Sequence, residues 1–191
     1  MFARTAAVVL LLVGTEAFFT WLSALNLRYG GEELAERAEW VRDRLDVDDP
    51  LELAEYQRAK VGLDSLGSWV LLGFVLLVLL SGLFADTVAA LQRTGWPLLA
   101  QGVVFFAGVA AVLYLVSLPF DVVETFVVEE IYDFNEQSVA LFLRDSALKL
   151  LISGVLASVL GTALLAVVLT IPQWWALAGA GLFFAFGLLM Q

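Results

Sequence analysis

A helix that crosses the hydrocarbon core of a bilayer needs about 20 consecutive, mostly apolar residues. This sequence contains five such blocks: Thr5–Leu27, Leu66–Phe84, Pro97–Leu118, Leu150–Ile171 and Trp174–Met190. Of its 191 residues, 61% are hydrophobic and only 16% charged, whereas soluble domains are nearer half and a quarter. Because the excess comes in long blocks, the chain reads as an all-α, polytopic membrane protein with the bilayer as its first partner. Residues 1–191 form one five-helix membrane domain in this reading. The first block resembles a secretory signal in one respect, since Arg4 precedes an apolar run. Glu16 interrupts that run, apolar residues continue beyond it and no small-x-small cleavage site follows, so it is assigned as a span.

Two absences narrow the chemistry. There is no cysteine, so disulfides and thiolate metal sites are excluded. There is no histidine either, which removes the usual zinc ligand and the usual general base near neutral pH. The formal net charge of −10 opposes nucleic acid as a partner, since that requires a basic face. Lys60 and Lys149 are the two lysines among ten basic residues, a composition that suits a salt-rich cytoplasm.

Orientation follows from the basic residues in short loops. With the N-terminus outside, the inner side holds Arg28, Arg37, Arg42, Arg44, Arg58, Lys60, Arg144 and Lys149, and the outer side Arg4 and Arg93. Five spans then send the C-terminus into the cytoplasm. Trp174 and Trp175 anchor the outer end of the last span after a turn at Pro172, but no charged residue anchors its inner end. The chain therefore reads as the first part of something longer.

The polar segments have plain local readings. Leu34, Ala38, Val41 and Leu45 recur at helical spacing over Glu32–Asp46, with Glu33 and Arg37 one turn apart, which predicts an amphipathic helix outside the membrane. Asp49-Pro50-Leu51-Glu52 predicts a capped helix start, and that helix should run through Tyr56, Ala59 and Lys60 into the second span. Glu16 lies inside the first span, where an ionisable group faces a cavity or a partner rather than lipid. It either lines an internal water-filled space or bonds to another helix, for instance through Gln101 or Tyr114.

The most ordered segment is Leu118–Lys149, LPFDVVETFVVEEIYDFNEQSVALFLRDSALK, with six carboxylates before its first basic residue. Asp121, Glu124, Glu129, Glu130, Asp133 and Glu136 do not match an EF-hand loop, and a solvated acidic face is the expectation. Pro119 is expected to end the third span or open a new helix carrying Phe120, Val123, Val127 and Ile131 on one face. Asn135 is expected to cap a second helix that runs through Ser138, Phe142 and Asp145 into the fourth span.

The order of these residues resembles a family signature. Leu118-Pro119-Phe120, Thr125-Phe126-Val127-Val128-Glu129, Phe134-Asn135, Ser138, Phe142, Asp145 and Lys149 are similar to the "LPF…TFVIE…GFN…T…F…D…K" run of type-1 CAAX prenyl proteases, integral-membrane zinc metallopeptidases. Tyr56-Gln57-Arg58-Ala59-Lys60 resembles their "Y…AK" entry into the second span. One departure is that Asp133 stands where the glycine before Phe-Asn is usual, and Asp tolerates fewer backbone angles. The resemblance implies a helical barrel of seven spans around an intramembrane chamber. It also implies zinc held by a His-Glu-x-x-His motif and a later glutamate, with a zinc-bound water as nucleophile. This sequence has none of that motif, so the resemblance carries over no catalytic and no metal residue, and zinc belongs to a catalytic half absent from these residues.

The reading is thus the N-terminal membrane domain of a CAAX-type zinc endopeptidase, inactive by itself, with the catalytic half and prenylated peptides as candidate partners. The alternative is a stand-alone membrane scaffold that kept the fold and lost the protease. A His-Glu-x-x-His codon run beyond Gln191 discriminates between the two. A small transporter ranks third, because no repeat relates the halves and Pro97, Pro119 and Pro172 sit at span ends.

Overall fold

The computed structural model describes residues 2–36, 40 and 50–189, and among these every regular element is a helix. In chain order they are α1 (Phe2–Glu36), α2 (Pro50–Ser81), α3 (Leu83–Gln92) and α4 (Leu98–Val123), then α5 (Val139–Thr170) and α6 (Trp175–Leu189). Helix α4 passes directly into a π-helical turn, Glu124–Val128, and a last α-turn, Glu129–Ile131. Among the described residues, four continuous helical runs are long and apolar enough to cross a bilayer: Thr5–Glu33, Leu51–Ser81, Leu98–Ile131 and Val139–Thr170. The 15 residues of α6 rise only about 22 Å, less than the roughly 30 Å hydrocarbon core.

The side chains are arranged for lipid rather than water. Leu10 is 72% exposed and Phe184 71%, while Ser158 is buried. Lipid tails are as apolar as leucine, so helices gain little by hiding leucines from them and associate through small residues and hydrogen bonds instead.

The chain divides into two compact units. The first comprises Met1–Leu80 and Val116–Gln137, and so holds α1, nearly all of α2 and the far end of α4 with its π-turn. Within it, Trp69 of α2 donates its indole N–H to the Thr20 hydroxyl of α1 at 3.0 Å. Gly67 brings α2 against Phe120, where a Cβ would stand 3.2 Å from the ring. The second unit comprises Ser81–Leu115 and Ser138–Gln191. Here Ser158 of α5 donates to its own Gly154 carbonyl at 2.7 Å and lies 3.2 Å from the Val103 carbonyl of α4. Gly161 sits directly on the Phe106 ring.

Several boundaries differ from the sequence expectations. Pro119 neither ends the third span nor opens a new helix; it lies inside α4. Proline removes one i→i−4 bond, that to Leu115, and transmembrane helices tolerate the loss. The unit boundary falls at this point, between Leu115 and Val116. The second span ends at Ser81 rather than Phe84, because Gly82 adopts a left-handed φ of 86° that only glycine takes without strain. Leu83 and Phe84 then begin α3, an element the hydropathy pattern had merged with its neighbours. Glu32–Glu36 belong to α1 itself rather than to a separate amphipathic helix; residues 37–39 and 41–49, with Arg37 and the Asp49 cap, lie outside the described residues. The helix from Pro50 through Lys60 into the second span is continuous as expected.

Candidate functional site

The signature residues of the first unit gather where α2 meets the π-turn. A π-turn inserts one residue into the helical ladder, and such insertions often mark functional positions. Here the Glu129 N–H reaches back five residues to the Glu124 carbonyl. The insertion also explains why the expected apolar face fails. Val127 and Ile131 are exposed, whereas Val128 is buried and Thr125 and Phe126 are half-buried. The extra residue rotates everything after Glu124 by about 100° relative to an uninterrupted α-helix.

Two side chains from one face of α2 hold this turn. Lys60 Nζ lies 2.5 Å from Glu124 Oε1, an ion pair with both side chains mostly withdrawn from solvent. One turn earlier, Tyr56 packs edge-to-face on Tyr132 and at a tilt on Phe134, with ring centroids 5.5 and 4.8 Å apart. Lys60 Nζ also stands 5.9 Å from the Tyr56 ring centroid, within the range of a cation–π contact. Asp64, a further turn along α2, interacts electrostatically with Lys60, Glu124 and Asp121. The Lys60 ammonium thus pairs with Glu124 and attracts Asp64, which is also repelled by Glu124 and Asp121. The acidic stretch is not simply solvated, since Glu124 is bound to Lys60 and Glu130 to Asn135.

The segment after the π-turn closes in a Schellman motif. Phe134 N–H donates to the Glu129 carbonyl at 2.8 Å and Asp133 N–H to the Glu130 carbonyl at 3.3 Å. This is the nested 6→1 and 5→2 pair that terminates helices through a left-handed residue. That residue is Asp133, with φ 55°, the one non-glycine positive φ among the described residues. The turn thus has the conformation a glycine there would adopt. An aspartate holds it at the cost of backbone strain and of a carboxylate beside a helix C-terminus. Asp133→Gly is expected to raise stability by about 0.5–1 kcal/mol and Asp133→Val to lower it by about 1–2 kcal/mol. Thermal midpoints in one detergent check both signs.

Asn135 is not the helix cap. Its carbonyl oxygen accepts from Gln137 N–H at 2.8 Å and its amide donates to Glu130 Oε2 at 2.8 Å, so it ties the loop back onto the turn before it. The cap of α5 is Ser138, extended at φ −76° and ψ 153°, whose hydroxyl accepts from Leu141 N–H at 3.3 Å. Asparagine and serine are equally good caps; the Schellman turn decides between them by engaging the Asn135 N–H with the Glu129 carbonyl. Ser138→Ala should lower stability by about 1 kcal/mol, and Ser138→Asp should restore it. A Ser138→Ala protein with an unchanged denaturation midpoint would show that the cap contributes nothing.

The remaining signature residues lie in the second unit. Phe142 is buried in it, Lys149 Nζ stands 5.9 Å from the ring centroid of the buried Tyr114, and Asp145 lies exposed on the same helix. Tyr114 meets Lys149, and the Gln101 side chain donates to the Trp96 carbonyl at 2.7 Å. Glu16 lies on the inner, half-buried stripe of α1 with Thr20 and Ser23. Sequence reasoning singled out Tyr56, Lys60 and Phe134 but missed their partners Glu124, Tyr132 and Asp64. The available signal was Lys60 itself, a lysine in a lysine-poor, acidic chain entering a membrane span.

Long apolar helices with exposed leucines, interrupted by a tied polar turn, define a polytopic helical membrane domain. Within that class the chain belongs to the family of CAAX prenyl protease N-terminal domains, described as having five membrane helices, whose family model matches residues 34–191. It is also similar to the probable CAAX prenyl protease 1 of Schizosaccharomyces pombe, 30% identical over 88 residues. That segment is 46% of this chain and 19% of the yeast protein, so the match spans a minor part of the relative's length. No solved structure matches the chain.

Proposed function

We propose that this chain supplies the membrane-embedded N-terminal domain of a zinc endopeptidase acting on C-terminally prenylated proteins. In this reading it forms part of the wall of the intramembrane chamber and is not catalytic alone. The observation that carries the reading is the family match over residues 34–191 in a sequence without a single histidine. The residues present do not fit a zinc ion. Cysteine and histidine are absent from the sequence, and among the described residues no group of three or more carboxylates is placed to hold a metal. Zinc would be held by histidine-bearing sequence outside these 191 residues, and no step of hydrolysis is assigned to any residue here. The contribution of this domain is positional. Lys60, Tyr56 and Asn135 fix the turn that follows α4.

The test is direct. The purified 191-residue protein, supplied with zinc and a farnesylated peptide, should show no cleavage. Chelator-sensitive cleavage that co-purifies with the protein through successive columns would overturn the claim of inactivity.

The same proposal sets the N-terminus outside and the C-terminus in the cytoplasm, supported by the eight-to-two partition of basic residues. Because the chain has no cysteine, single-cysteine variants report topology without background. Arg4→Cys should react with an impermeant thiol reagent from outside, and Gln137→Cys only after the membrane is opened. The reverse pattern would invert the assignment.

A further inference from the structure

The first unit contains a second polar feature, on the opposite pairing of α2. Between α1 and α2 lies a cleft of about 240 Å³ that neither Tyr56, Lys60 nor any residue of Leu118–Lys149 lines. Its polar lining consists of Ser23 and Asn26 from α1 and Gln57 from α2, all able to donate hydrogen bonds. Leu27 and Val61 form its apolar part. Gly30 and Gly31 form one rim, and a Cβ on Gly31 would stand 3.2 Å from a guanidinium nitrogen of Arg58. Among the described residues no acidic side chain lines the cleft. The neighbouring carboxylate of Glu32 is taken by Arg28 on the same helix. Arg58 has no carboxylate partner among the described residues.

Depth in the membrane identifies what such a cleft meets. Helix α1 rises about 52 Å over its 35 residues, well beyond the roughly 30 Å hydrocarbon core. The apolar run of α1 ends at Leu27, and that of α2 begins at Leu66. Helices α1 and α2 run antiparallel along the cleft, so Ser23 and Val61 mark its membrane end and Gly31 and Ala54 its aqueous end. The Arg58 guanidinium, without a carboxylate partner among the described residues, stands at headgroup depth with three neutral donors and two bare glycines. Guanidinium and amide donors match phosphate oxygens, and glycines admit an oxygen close to the backbone. The volume falls below the roughly 300–1,000 Å³ of pockets that enclose drug-sized molecules, so it takes a headgroup with the tails remaining in the bilayer along Leu27 and Val61.

We propose that this cleft is a binding site for the phosphate of an anionic phospholipid, with Arg58 as its charged contact and Ser23, Asn26 and Gln57 as hydrogen-bond donors. The site lies at the membrane–water interface whichever way the chain is oriented, and it does not depend on the proteolytic reading.

Native mass spectrometry of the purified protein in neutral detergent, titrated with dioleoylphosphatidylglycerol, tests it. The wild-type protein should retain one tightly bound lipid. Arg58→Gln, an exposed and conservative change, should weaken retention at least fivefold, as should Gly31→Val, which fills the cleft from the other side. Arg93→Gln, in the other unit, removes the same charge and should leave retention unchanged. Equal losses for Arg58→Gln and Arg93→Gln, or no retained lipid in the wild-type protein, would overturn the site. Displacement of the lipid by millimolar inorganic phosphate would assign the cleft to the free anion and overturn the lipid assignment; continued retention supports it.

Discussion

Gly161→Ala is expected to lower the thermal midpoint of the detergent-solubilised protein by roughly 4–8 °C. A Cβ built on Gly161 stands 2.3 Å from Phe106 Cγ and 2.4 and 2.6 Å from the two adjacent ring carbons, far inside any van der Waals contact. Cγ is the root of the ring, so the phenyl cannot swing its tip aside; the χ1 rotamer or the helix separation must change. Overpacking of this kind costs about 1–3 kcal/mol. The gain from replacing a helical glycine by alanine, just under 1 kcal/mol, offsets part of that. An overlap with the root of the ring places the cost at the upper end of that range, about 3 kcal/mol, so about 2 kcal/mol net remains; at roughly 2–4 °C per kcal/mol for a chain of this size this gives the stated shift. The effect should be coupled to its partner. In a Phe106→Ala background, which removes Cγ altogether, Gly161→Ala should cost little, and the difference between backgrounds measures the contact. Equal losses in both backgrounds would show that Gly161 and Phe106 do not touch.

The second large effect is expected at the charged centre of the first unit. Lys60→Glu should prevent the π-turn from docking on α2, seen as loss of the protein from the soluble detergent fraction or a fall of several degrees in its midpoint. The wild-type ammonium pairs with Glu124 and interacts with Asp64, which also feels Asp121. Reversing its charge sets a fourth carboxylate among three. Lys60→Met is the milder variant, leaving Glu124 and Asp64 without their cation. The Lys60 and Glu124 side chains retain 35% and 24% exposure, so the 3–5 kcal/mol of a fully buried broken pair is reduced by solvent screening to about 1–2 kcal/mol. In the cycle of Lys60→Met with Glu124→Gln, the double variant should be more stable than the sum of the single losses predicts, because no unpaired carboxylate remains at position 124. Strict additivity would show that the pair contributes nothing.

The spans were legible because membrane solvation imposes a simple rule, long runs of apolar residues, that leaves a strong trace in one dimension. The same rule hides where one helix yields to the next. Gly82 stands in a block whose hydropathy does not change across it, so the end of α2 and the start of α3 merged. Pro119 looked like a terminus because proline removes one helical bond, yet α4 carries on through it. Local chemistry offered two caps of equal quality for α5, and only the Schellman turn, by engaging the Asn135 N–H with Glu129, left the role to Ser138.

At the candidate site, motif order identified Tyr56, Lys60, Phe134 and Asn135 as belonging together without saying how. Their partners Glu124, Tyr132 and Glu130 were missed because a π-turn shifts the facing side by one residue, and helical periodicity presumes that no such shift occurs. Asp133 gave a half-correct signal. A glycine position filled by aspartate suggested an altered turn, but the turn keeps the left-handed conformation and the aspartate bears it.

Sequence by itself determined that this is an all-α membrane chain of the CAAX prenyl protease N-terminal type, without histidine or cysteine. Those properties follow from composition and from residue order, which no folding can alter. Only the tertiary structure decided that Lys60 closes on Glu124, that Tyr56 receives Tyr132 and Phe134, and that Gly161 admits Phe106. Each of these joins residues far apart in the chain, and such contacts exist only once helices have packed.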